Sequence, residues 1–210
     1  MTTLDTRTEQ VISRPPVAAP ERPVGHTTGW WGMVLFICTE SMTFAAFLAS
    51  YFYLRFDHGG PWPPAADKPP HLFFPSIGTG VILASCATMA MAVRAAPKGR
   101  RAVQGLTLLV TMLAGCVYIA FECIDYTHEM PSTLATKDAY GSLFYIITGL
   151  HLVHVVLGLF MLIALIASTL LGRIGEKRPE PVAIVSLYWY FLVVLAVGIY
   201  GTVYISPYLS

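Results

Sequence analysis

The sequence predicts an all-α integral membrane bundle of five transmembrane helices. Three observations carry that prediction. Hydrophobic residues make up 55% of the 210-residue chain and charged residues only 12%, half the ~25% charged share of an ordinary soluble domain. The apolar residues are gathered into five continuous blocks, each at or near the ~20 residues that cross ~30 Å of hydrocarbon as helix. The Lys and Arg residues fall on alternate connections, ten on one side and three on the other, as in a multi-pass protein with a cytoplasmic N-terminus and an external C-terminus. Continuous blocks argue against a membrane β-barrel, whose spans are ~10-residue alternating segments. A net charge of +1 excludes a strongly basic nucleic-acid binder.

Residues 1–28 form a polar, proline-dotted tail in which Arg7, Arg14 and Arg22 are set against Asp5, Glu9 and Glu21. It has no apolar centre, so it reads as a disordered cytoplasmic tail rather than a signal peptide. The transmembrane domain is then residues 29–210. Its first block runs over Gly29–Leu54, and the connection behind it contains Gly60-Pro61-Trp62-Pro63-Pro64, a rigid turn that cannot be helical. The second block, Pro75–Val93, ends in a tight basic loop, Arg94–Arg101. The third, Ala102–Cys123, leads into an acidic loop over Ile124–Tyr140. The fourth, Gly141–Leu171, is long enough to project beyond a bilayer or to tilt. The fifth, Val182–Ile205, follows a second basic loop. No repeat of 20–50 residues and no inverted pair of broken helices is present, which weighs against a secondary transporter. Ala45/Ala49, Ala84/Thr88/Ala92 and Gly149 are small residues suited to close helix packing.

The polar residues inside the blocks are the candidate functional residues. Glu40 lies near the middle of the first block, on one helical face with Phe36, Phe44, Phe47 and Tyr51. A carboxylate at that depth costs at least ~2.5 kcal/mol, so it needs a partner or a proton. His151 and His154 lie three apart in the fourth block and are the basic groups at comparable depth. Glu40 is therefore expected at the interface of the first and fourth helices, hydrogen-bonded to a histidine, His154 in preference to His151. The alternative is a protonated Glu40 bonded to a hydroxyl or a carbonyl. Two histidines three apart on one helix cannot grip opposite faces of a porphyrin, and no Glu-x-x-His di-metal pattern exists, so interhelical hydrogen bonding is the favoured reading of both. Glu122 and Asp125 read as interfacial carboxylates at a solvated helix end. Cys38, Cys86, Cys116 and Cys123 lack any metal or redox spacing. No catalytic constellation and no metal site is expected.

In order, these pieces resemble subunit III of haem–copper terminal oxidases, in the short five-helix bacterial form. The strongest match is the run Ala139 to Val155, AYGSLFYIITGLHLVHV, which is similar to the family's YGS-FY--TG-HG-HV stretch. The run from Trp31 through Glu40 to Phe52 resembles the family's first retained helix, with Glu40 at its intramembrane acidic position. Glu122-Cys123-Ile124-Asp125-Tyr126 resembles a Q-x-x-E-Y pattern, and Tyr188-Trp189-Tyr190-Phe191 the start of the last helix. That helix departs from the family's YWHFVDVVW: Tyr190, Val193 and Ala196 stand where the family has His, Asp and Trp.

The resemblance implies an accessory subunit of a respiratory oxidase in the bacterial plasma membrane, binding no redox centre itself. Haem and copper belong to its implied partners, the catalytic subunit I and the copper subunit II. Structural phospholipids in its helix clefts, support of assembly and proton uptake, and a place in a respiratory supercomplex are further implications. Whether the donor is cytochrome c or a quinol stays open, as does a related subunit of a nitric oxide reductase system. A cytochrome b-type anchor and a proton-coupled transporter using Glu40 are the competing readings.

Overall fold

The computed structural model describes residues 27–57, 59, 62, 71–129, 139–174 and 179–209. The N-terminal tail up to residue 26, most of the Gly-Pro-Trp-Pro turn and the centres of the third and fourth connections lie outside the described residues. Five helices are long and apolar enough to cross a membrane, and there is no strand among the described residues. They are α1 (Thr28–Asp57), α2 (Phe73–Ala95), α3 (Arg101–Glu129), α4 (Ala139–Leu170) and α5 (Glu180–Ile199). At 32 residues, α4 is ~48 Å long and outreaches the ~30 Å hydrocarbon layer. The last helix does not end at Ile199. It widens into a π turn over Tyr200–Ile205 and closes with a 3₁₀ turn over Ser206–Leu209.

Helices α2 to α5 close into a four-helix ring, and α1 lies outside it against α4 and α5. Only Phe44 and Tyr51 of α1 are buried. Ala45 and Ala49, expected at a packing seam, instead face outward, because the aromatic face around Glu40 is the one turned to the ring. Close approach is made by other residues. A Cβ on Gly115 would come within 2.8 Å of Trp189 and of Leu159, and one on Gly158 within 2.8 Å of Leu192. The Trp189 indole thus fills the space left by two glycines on neighbouring helices, and its N–H donates to Ser85 Oγ on α2 at 2.9 Å.

The two ends differ in chemistry. At the end joining α2 to α3 and α4 to α5, each turn is made by a left-handed glycine, Gly99 (φ 65°) and Gly172 (φ 71°). In both, the residue beyond the glycine donates to a carbonyl five back (Arg100 N–H to Ala95 O, Arg173 N–H to Ser168 O). This capping pattern needs an αL residue, and glycine adopts it without a Cβ penalty. Arg94, Lys98, Arg100, Arg101 and Arg173 collect here, at what is called below the basic end. The opposite, aromatic end is packed by Tyr51, Trp62, Tyr140, Phe144 and Tyr204. There Trp62 Nε1–H donates to the Tyr51 hydroxyl at 3.0 Å. Ser206 spends its proton on Thr202 O, so Tyr51 donates to Ser206 Oγ at 3.3 Å.

Candidate functional site

Helix α4 presents two histidines, and its turn geometry sends them to different neighbours. His154 faces α1. Its Nε2 lies 2.9 Å from Oε2 of Glu40, and its Nδ1 lies 2.7 Å from the Leu150 carbonyl, one turn back on its own helix. A carbonyl can only accept, so Nδ1 carries a proton. The Nε2–Oε2 line then holds one further proton, because without it a nitrogen lone pair would face a carboxylate. Whether that proton sits on carbon-bound oxygen or on nitrogen, the pair has zero net charge, which is what a low-dielectric environment demands. The Phe44 ring stands edge-on to His154, at 5.4 Å and 71°, covering the dyad on one side. The imidazole is nearly buried and the carboxyl is 23% exposed on the outer surface of the chain.

His151 is buried and faces α3 and α5. Its Nε2 donates to Leu192 O of α5 at 3.1 Å. Its Nδ1 is therefore the bare nitrogen and accepts the Tyr118 hydroxyl proton of α3 at 3.2 Å. All four ring nitrogens of the two histidines are thus engaged by protein groups. No group of three or more His, Cys, Asp or Glu side chains among the described residues could hold a metal ion.

The carboxylates of α3 stand differently from the sequence expectation. Glu122 is 6% exposed and Asp125 fully buried, so neither is a solvated helix end. The reason is that α3 does not stop where the charges begin. It continues to Glu129, and its periodicity turns both acids inward. Tyr204, aimed by the π turn of the last helix, donates to Asp125 Oδ2 at 2.9 Å. Glu122 adjoins the Tyr118 hydroxyl one turn away. Tyr126 donates to Thr148 Oγ1 at 2.7 Å, and Thr148 in turn to Phe144 O.

These acids belong to a longer row. Gln104, Thr107, Thr111, Gly115, Tyr118, Glu122 and Asp125 are all buried on one face of α3. Toward the basic end, Gln104 Nε2–H donates to Thr169 Oγ1 at 3.0 Å, and Thr111 meets Thr88 at 2.7 Å. The helix is inside out: its polar stripe faces protein and its apolar residues face outward, as lipid requires. Block counting misses Tyr118, Tyr204, Trp189 and Gly115. The polar spacing of three and four along α3 is the signal that finds most of them. Val193 and Ala196, where the resembled family has polar or bulky groups, are buried in the apolar core, and Tyr190 packs against it.

The family model described as cytochrome c oxidase subunit III matches residues 23–208. A protein named probable cytochrome c oxidase subunit 3 from Nocardia farcinica is 34% identical over 176 residues, covering 82% of this chain and 85% of that protein. One of the same name from Mycobacterium leprae is 32% identical over the same shares. Cytochrome c oxidase subunit 3 of Latimeria chalumnae is 30% identical over 179 residues, covering 83% of this chain and 68% of that protein.

Proposed function

Since the chain belongs to the cytochrome c oxidase subunit III family, we propose that it works as the non-catalytic third subunit of a haem–copper oxidase in the bacterial plasma membrane. Its tail, residues 1–28, and its basic end face the cytoplasm, by the ten-to-three asymmetry of Lys and Arg. The helical domain, residues 29–210, docks beside the catalytic subunit I, which holds the haems and copper, and joins an assembly with the copper subunit II. Structural phospholipids fill its clefts, and through the oxidase it enters a respiratory supercomplex. Its contribution is to assembly, to proton uptake and to survival under turnover.

The observation that carries this reading is the disposition of the two histidines. Each imidazole bonds a neighbouring helix, His151 through both ring nitrogens and His154 through Nε2, its Nδ1 being held by its own helix, which supports a packing and proton-holding role and gives no support to a bis-histidine anchor. Glu40, His151 and His154 are the intramembrane polar groups on which proton-linked behaviour would rest. Glu122 and Asp125 add a buried pair of acids.

The test is deletion of the gene followed by purification of the remaining oxidase. The haem spectrum and copper content per catalytic subunit should be unchanged, while assembly yield, proton uptake or lifetime under turnover falls. Loss of haem ligation on changing His151 or His154 alone, in an assembled complex, would overturn the reading.

A further inference from the structure

Tyr118 stands between an acid and a base. It is buried on the inward face of α3, and Glu122 follows it one turn later on the same face. The two side chains are in hydrogen-bonding contact. Across the helix interface, the Tyr118 hydroxyl reaches Nδ1 of His151 at 3.2 Å, and Nε2 of that ring lies 3.1 Å from Leu192 O. The Tyr118 ring packs on α2, where a Cβ on Gly78 would meet it at 3.4 Å. Phe44 of α1 stands edge-on to His151 at 6.4 Å. Tyr118, Glu122 and His151 are each no more than 6% exposed.

The protons follow from the far end of this chain of groups. A carbonyl only accepts, so Nε2 carries a proton and Nδ1 is bare. The bare nitrogen takes the single proton of the Tyr118 hydroxyl. The phenol oxygen then has only lone pairs to offer, and a carboxylate facing it would set lone pair against lone pair. Glu122 therefore needs a proton of its own and donates it to Tyr118. Asp125, three residues on, already accepts from Tyr204 at 2.9 Å, and two carboxylates so close on a buried face would repel. Tyr126 on α3, Tyr204 beyond α5 and His154 on α4 are the further titratable neighbours of these groups. The Q-x-x-E-Y pattern that this stretch resembles has Gln where Glu122 stands. An amide N–H makes the same donation but has no proton to release.

We propose, resting on the proton-holding reading of His151 above, that Glu122, Tyr118 and His151 form a proton relay joining α3 to α4, with Glu122 a carboxylic acid at rest and His151 the acceptor. One shift moves two protons. The Glu122 O–H breaks as a new O–H forms on Tyr118, and the old Tyr118 O–H breaks as an N–H forms on Nδ1. Carboxylate and imidazolium result, with no change in net charge. The test is infrared difference spectroscopy, in light and heavy water, of the intact complex purified in mild detergent through a tag on this chain. Wild type minus Glu122→Gln should show the carbonyl stretch of one carboxylic acid, shifted in heavy water, and no carboxylate band. Wild type minus Tyr118→Phe, which keeps Glu122 in place, should show the same carbonyl band displaced. His151→Gln should also displace it, with Tyr118 as the link between them, and that displacement should vanish when both samples carry Tyr118→Phe. A carboxylate band lost in Glu122→Gln would overturn the proposal. So would a carbonyl band indifferent to His151, or one that still responds to His151 without the Tyr118 hydroxyl. Which haem-bearing subunits elute with the tag is read from the same samples, so failure of the oxidase assignment is distinguished from failure of the relay.

Discussion

The Glu40–His154 contact allows a sharp energetic test of where its proton sits. The geometry supplies one proton between Oε2 and Nε2, with Nδ1–H committed to Leu150 O. Two species satisfy it: a carboxylic acid donating to a neutral imidazole, or a carboxylate accepting from an imidazolium. They differ in what removal of one partner costs. An interhelical hydrogen bond between neutral groups in a membrane protein is worth about 0.6 kcal/mol on average and at most about 1.7. Breaking a buried ion pair leaves an uncompensated charge and costs about 3–5 kcal/mol. Glu40 lies in the middle of a membrane-crossing helix, where a charged carboxylate is costly, so the neutral species is the expected one. The cycle Glu40→Ala, His154→Ala and the double variant, unfolded in mixed detergent and followed by tryptophan fluorescence, should give a coupling energy of about 0.6–1.7 kcal/mol. Glu40→Gln should fall within about 0.5 kcal/mol of wild type, because the amide N–H donates to Nε2 as the acid does. A coupling of 3 kcal/mol or more, together with a comparable loss in Glu40→Gln, would refute the neutral pair. A coupling near zero would refute the claim that the contact stabilises the bundle at all.

Gly115→Ala should destabilise by about 1–3 kcal/mol, since the new methyl would sit 2.8 Å from the rigid Trp189 ring; Gly32→Ala, with nothing within 4 Å, should be neutral or slightly stabilising in the same detergent titration. Tyr204→Phe should cost about 1–3 kcal/mol by stripping the buried Asp125 carboxyl of a donor, read as a drop in unfolding midpoint with no change in helix content. In a background with the native cysteines replaced, an impermeant maleimide added to intact cells should label His71→Cys and not Lys98→Cys, and labelling of Lys98→Cys from outside would invert the topology.

The five spans and the pairing of α1 with α4 were legible because each follows from one strong rule. Long apolar blocks must cross a bilayer, and a mid-span carboxyl must find a hydrogen-bonding group at its own depth. Glu40 had few partners to choose from at that depth, and the 2.9 Å contact with His154 is the outcome. The sequence shows a tight basic loop around Gly99 and a basic loop after Gly172, although the paired αL caps at Gly99 and Gly172 depend on backbone bonds that residue types alone do not specify. Small-residue pairs were a poorer guide. Ala45 and Ala49 are small, yet they face outward, whereas Gly115 and Gly158, which lack even a Cβ, form the seam against the bulky Trp189.

The acidic end of α3 shows why composition alone misplaces a helix end. Charge inside a sequence normally marks water, and so Ile124 looks like the start of a loop. In a bundle whose outside is lipid the rule reverses, because the polar face of a helix is the one that must be turned inward. The spacing of Gln104, Thr107, Thr111, Gly115, Tyr118, Glu122 and Asp125 runs 3, 4, 4, 3, 4, 3, a single helical stripe. Continuing that stripe carries the helix past both carboxylates and predicts that they are buried, as they are. The same continuation demands donors from the facing helices. The Tyr118 proton of the stripe itself goes to His151 Nδ1, and the donor to Asp125 is Tyr204 from the π turn, a residue type that counts as apolar in a block and delivers its hydroxyl only once the helices are packed.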